Sequence, residues 1–178
     1  ITDHAISQMS ACGLNLTRPI LIDVQPDLGK SCVGVYHCGE SRISLLHPSQ
    51  LDEIIQDSTL FSSLDVMPYF ESVLVHELAH AAYDEVPCPF DGPCVATSEY
   101  LAYALQLDSL SDTDRAAIGL EEVPEARISR DEINAVLAVW APPRFAVKAW
   151  THLMQRPDPC AYVGQIADGN IYFDFEHP

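Results

Sequence analysis

His76, Glu77 and His80 stand together in the run Val75, His76, Glu77, Leu78, Ala79, His80, which reads H-E-x-x-H. The surrounding segment, about residues 68–84, has the composition and periodicity of a helix. Residues four apart on a helix lie one turn apart on the same face. His76 and His80 can therefore aim two imidazoles at one point. Neutral imidazole is a good ligand for Zn²⁺, which takes two histidines plus one more protein group and keeps one position open. Glu77 follows the first histidine directly, where its carboxylate can reach a metal-bound water without being a ligand itself. With eighteen residues between it and His80, Glu99 stands in a second helix-like segment, about residues 96–107.

The full spacing, H-E-x-x-H-x18-E, resembles that of the gluzincins, the zinc metallopeptidases of the thermolysin and aminopeptidase type. The resemblance covers about residues 70–104. It implies His76, His80 and Glu99 as zinc ligands, Glu77 as general base, and hydrolysis of a peptide or protein substrate. It also implies an oxyanion donor, a Tyr or His downstream of the third ligand. Tyr103, His152, Tyr162 and Tyr172 are the candidates, with His152 and Tyr162 favoured because the loop around Cys160 could be tethered near the site. In that family an edge strand pairs with extended substrate, and residues 42–46 are the candidate for it. Tyr103 departs from the pattern, because thermolysin-like enzymes carry at that position an Asp that orients the first histidine. Partners behind the ligands fix tautomer and basicity, so another acceptor must serve His76 or metal affinity is lower. A different class of reading is a catalytically inactive zincin-like protein, whose metal site only stabilises a partner-binding surface. Hydrolysis of another amide is a third.

Composition narrows the setting. Nine Lys and Arg against twenty-six Asp and Glu give a formal net charge of -17, which argues against nucleic acid, whose ligands need a basic footprint. The same charge disfavours anionic membranes, and no run of eighteen apolar residues offers membrane insertion. Six cysteines without a C-x-x-C pair read as three disulfides formed in an oxidising compartment. Cys88 and Cys94 bracket a short loop between the two ligand segments and are the pair to join first. Cys32 and Cys38, at the two ends of one strand, would be about 20 Å apart and are expected to pair with Cys12 and Cys160. The chain starts at Ile1, as expected of a mature form after removal of a signal peptide, so it reads as secreted or periplasmic. Asn15, Leu16 and Thr17 form a glycosylation sequon.

The elements that must position these residues follow from local pattern. One domain over 1–178 is expected, α+β and zincin-like, mostly helical, with a small N-terminal sheet ahead of the active-site helix. Residues 3–12 suit a short helix, 20–24 a strand, and 32–37 with 42–46 a hairpin turning at 38–41. His37 and His47 flank this hairpin with no acidic partner at ligand spacing and read as surface histidines. Ser49 to Asp52 is a capping-box pattern opening a helix, and Ser111 and Ser129 start two more, ending near 119 and 140. A last helix starts at Pro142 and Pro143, residues 157–160 form a loop, and 171–176 alternate like a strand. Asp84 and Glu85 sit at the end of the active helix, where carboxylates oppose the dipole and call for a local partner.

Overall fold

A computed structural model describes residues 2–29 and 32–174. It is a mixed α+β structure: α1 (Thr2–Ala11), a sheet of β1 (Leu21–Gln25), β2 (Gly34–His37) and β3 (Arg42–Leu46), then α2 (Asp52–Asp57), α3 (Val66–Tyr83), α4 (Val95–Asp108), α5 (Asp112–Ala117), α6 (Ala135–Trp140), α7 (Pro142–Met154) and α8 (Pro159–Ala167). The helices before α5 and the sheet lie close to their expected positions.

The sheet order is β1-β3-β2, with β1 parallel and β2 antiparallel to β3. Residues 42–46 are therefore the central strand and not the edge. Ile43, Ser44, Leu45 and Leu46 are all buried, which is why a run with both faces covered lost the alternation of an edge. The edge facing the helices is β2, which packs on α3. The hairpin turn places Gly39 and Ser41 at positive φ, 76° and 53°.

α3 is the axis of the molecule. Leu78 and Ala79 are fully buried, and the helix has the sheet on one side and α4 on another, with α7 packed beyond α4. Ala79, Ala96, Ala102, Ala104, Ala146 and Ala149 are fully buried too, and such small side chains let helix backbones approach. Burial of Leu78 and Leu101 contributes about 2 kcal/mol each. At the end of α3, Arg18 pairs with Asp84 at 2.9 Å and approaches Glu85 at 3.9 Å, supplying the partner these carboxylates call for.

Several local readings are corrected. Ser49 caps nothing; residues 48–50 form a 3-10 turn capped by His47 Nδ1, and α2 begins after Leu51 without a side-chain cap. The helix start at Ser129 yields only a 3-10 turn, where Glu132 Oε1 accepts from Ser129 N–H, and α6 restarts from Asn134, whose side chain accepts from Leu137 N–H. Beyond Pro157 there is a helix, α8, capped by Asp158 with Pro159 in its first turn. Residues 171–174 form no strand; 175 and 176 lie outside the described residues.

Two disulfides form, Cys88–Cys94 as expected and Cys12–Cys160. Cys32 and Cys38 are unbonded, so three bridges with Cys32 and Cys38 in mixed pairs is not the arrangement. The end of α1 meets α8 directly because two glycines share the contact. A Cβ on Gly13 would lie 3.6 Å from Gly164 Cα, and one on Gly164 only 3.0 Å from the Cys12 carbonyl oxygen. That approach leaves Cys12 and Cys160 with Cα atoms 4.7 Å apart, within bonding range.

Candidate metal centre

α3 and α4 bring His76, His80 and Glu99 together, with one ligand atom from each lying within 4.8 Å of the others. His76 Nε2 and His80 Nε2 are 3.1 Å apart, and the Glu99 carboxylate oxygens lie 3.8 Å and 3.7 Å from them. Ligands held around one zinc-sized ion at tetrahedral angles stand roughly 3.3–3.5 Å apart. The spacing and the donor set both fit: the group could hold a metal ion.

Burial keeps both imidazoles in the neutral form that a metal needs. His80 is pushed down to about 4 by burial, and His76 falls well below its ordinary value through burial and its neighbour His80, against an opposing hydrogen bond to Gln106. Burial raises Glu99 to about 7. A cation would restore the charged carboxylate and offset the cost of burying it.

Each of the two histidines has a partner on its far nitrogen. His76 Nδ1 lies 3.0 Å from Gln106 Oε1, and His80 Nδ1 lies 2.8 Å from Ser98 Oγ. Gln106 is thus the acceptor that His76 was expected to need in the absence of one at Tyr103. It stands two turns after Glu99, so a search along that helix face would have found it.

Glu77 is 6% exposed and points at β2. Its Oε2 accepts from the Tyr36 backbone N–H at 2.7 Å. Burial raises it to about 7, with the Tyr36 bond opposing and Glu99 adding to the rise. Gly34 makes this approach possible, since a Cβ there would lie 2.7 Å from Glu77 Oε1. An isolated glycine between Val33 and Val35 was the available signal for a close approach.

The β2 edge is oriented by its pairing. Leu46 N–H donates to Val33 O, and pairs alternate along an antiparallel ladder, so the backbone groups of Gly34 and Tyr36 point away from β3. They face a cavity of about 700 Å³ that also takes in His76, Glu77, His80, Glu99, Tyr103 and the Cys88–Cys94 loop.

The two favoured oxyanion donors stand elsewhere. His152 is 3% exposed, its Nδ1 lies 2.9 Å from the Tyr100 hydroxyl, and it packs edge-on against Tyr162 and Phe173. Neither His152 nor Tyr162 lines the cavity. The reason is the Cys160 tether, which runs to α1 and not to the metal group. Tyr172 donates to Pro87 O. Of the four candidates, Tyr103 alone lines the cavity, with its ring centroid 4.5 Å from that of His76.

No curated protein and no solved structure matches the chain. The model of DUF6639, described as a family of unknown function, matches residues 1–176, and the chain belongs to that family.

Proposed function

We propose that the chain is a zinc-dependent peptidase of gluzincin type with a zincin-like fold, working in an oxidising compartment outside the cytoplasm. The observation that carries this reading is the convergence of His76, His80 and Glu99 within 4.8 Å, beside a buried Glu77 that is not one of the three. Two neutral imidazoles and a carboxylate, with a cavity in front, suit zinc in a catalytic site better than the four protein ligands of a structural one. When bound, zinc supplies Lewis acidity, activating water and polarising the scissile carbonyl.

The remaining work falls to the chain. An extended peptide lies along the cavity beside β2, using the outward backbone groups that remain once Tyr36 N–H is given to Glu77. Glu77, held by the Tyr36 N–H, takes the proton from the attacking water and passes it to the leaving amine. Burial raises it in the metal-free site, and a bound cation would draw it back down, leaving an ionised base beside the attacking water. The Tyr103 hydroxyl is the donor on this cavity for the oxygen that gains negative charge. The disulfides support the oxidising compartment, and no described helix is long and apolar enough to cross a membrane.

The test is a peptide-library cleavage assay on zinc-loaded wild type and Glu77→Gln. Wild type should cleave, and the variant should bind zinc yet lose about 100-fold or more in turnover. Equal turnover in both would sink the mechanism. Stoichiometric zinc with no cleavage by wild type would favour the structural-metal, partner-binding reading.

A further inference from the structure

Behind His76 runs a chain of buried hydrogen bonds whose direction is the one that keeps every link made. The Tyr69 carbonyl can only accept, and Ser72 Oγ donates to it at 2.7 Å. That bond uses the only hydrogen of the hydroxyl, so toward its other neighbour Ser72 Oγ can only accept. The neighbour is Gln106 Nε2, 3.3 Å away. The Gln106 amide is thereby oriented, and its Oε1 faces His76 Nδ1 at 3.0 Å. An amide oxygen can only accept, so His76 must carry its proton on Nδ1 and leave the Nε2 lone pair facing the cavity. Turning the amide over would pull the Ser72 hydroxyl off the Tyr69 carbonyl to supply the proton between the two oxygens, so the chain would lose its 2.7 Å bond. Ser72 is 1% and Gln106 3% exposed, so the chain is shielded from bulk solvent.

We propose that Ser72 is a positioning residue: through Gln106 it fixes His76 in the Nδ1–H tautomer and so presents a ready lone pair to the metal. The consequence for zinc rests on the metal reading above; the tautomer itself does not. The inference explains why a neutral amide can stand where a carboxylate would otherwise serve. A carboxylate offers acceptor oxygens on both sides and needs no orientation, whereas an amide offers one acceptor and must be turned the right way. His80 makes the contrast, because its partner Ser98 Oγ can donate or accept. Nothing behind His80 fixes its tautomer, and with no metal its Nε2–H can donate to the His76 lone pair 3.1 Å away.

The experiment reads the imidazole directly. Long-range ¹H–¹⁵N correlation on ¹⁵N-labelled, chelator-treated protein reports which ring nitrogen of His76 is protonated, and zinc dissociation constants are taken by competition with a chromophoric chelator. Wild type should show His76 as Nδ1–H alone. Ser72→Ala should show a mixture of tautomers and bind zinc about 10-fold more weakly, the low end for partners behind a ligand. In a Gln106→Glu background, which needs no orientation, the same Ser72→Ala change should alter zinc affinity by less than about twofold. Nε2–H in the wild type, an unchanged tautomer in Ser72→Ala, or the same 10-fold loss in both backgrounds would each overturn the proposal. If the Gln106→Glu proteins do not fold by circular dichroism, the tautomer comparison between wild type and Ser72→Ala decides alone. Wild type that holds the Nδ1–H tautomer yet binds no zinc would sink the metallopeptidase reading, and the Ser72→Ala tautomer would then decide the positioning role alone.

Discussion

A methyl group added to Gly34 would lie 2.7 Å from Glu77 Oε1, 2.8 Å from Val73 Cγ1 and 2.9 Å from Glu77 Cγ. None of these is the loose end of a long exposed side chain, so either β2 or Glu77 must move. Gly34→Ala is therefore expected to cost about 1–3 kcal/mol of stability in urea unfolding. It should also lower peptide turnover about 100-fold through displacement of the base. Zinc affinity should stay within about twofold of wild type, because the three ligands are carried by α3 and α4. Unchanged turnover would show that the Gly34 contact does not position Glu77. Residues that share a helix turn were readable from spacing alone: His76 and His80 meet because they are four apart. Gly34 and Ser98 act across elements, and no local period records which strand or helix will face them. His152 and Tyr162 were misplaced for the same reason, since their position depended on where Cys160 would be tied.

Among the elements, α4 carries Glu99, and its first turn is held from outside. Asp174 Oδ1 accepts from Ala96 N–H at 2.8 Å, and Oδ2 accepts from Thr97 N–H at 3.0 Å and Thr97 Oγ1 at 2.6 Å. Phe173 N–H donates to Thr97 Oγ1. A carboxylate at a helix N-terminus both satisfies orphan donors and meets the positive end of the dipole. Asp174→Ala should therefore cost about 1–2 kcal/mol in urea unfolding. It should also weaken zinc binding, since Glu99 lies four residues beyond Val95, where α4 begins. A destabilised variant with wild-type zinc affinity would mean that α4 holds Glu99 without its cap. The alternation from 171 onward reads as a strand locally, but the described residues 171–174 pair with no strand. Tertiary context turned Asp174 into a cap instead. α8 was missed although Asp158 and Pro159 are a good helix start, because Gly164 and the short apolar stretch after it look like a loop until the contact with Cys12 is known.

At the scale of the whole molecule the two disulfides do different jobs, and the difference follows from loop length and position. Cys12 and Cys160 are separated by 148 residues, nearly the whole chain, so the bridge restrains the unfolded state over its full extent. The chain-entropy relation puts that at about 5 kcal/mol, against about 2 kcal/mol for the separation of 6 between Cys88 and Cys94. Position reverses the ranking for the site: Cys88 and Cys94 line the cavity with Pro87 and Pro93, while Cys12 and Cys160 do not. The Cys88–Cys94 pair could be read from its spacing. The Cys12–Cys160 pair could not, because it records a packing of the two chain ends that only the completed fold reveals. Replacing Cys12 and Cys160 by serine should therefore lower the thermal midpoint strongly while leaving zinc affinity and, below that midpoint, peptide turnover close to wild type. Replacing Cys88 and Cys94 should lower the midpoint less and change turnover more, because one wall of the cavity loses its staple. Both variants are measured by thermal unfolding and by turnover at a temperature where each remains folded. If the two double variants move both observables in the same proportion, the cavity wall does not depend on its own bridge, and the division between a bridge for the fold and a bridge for the site fails.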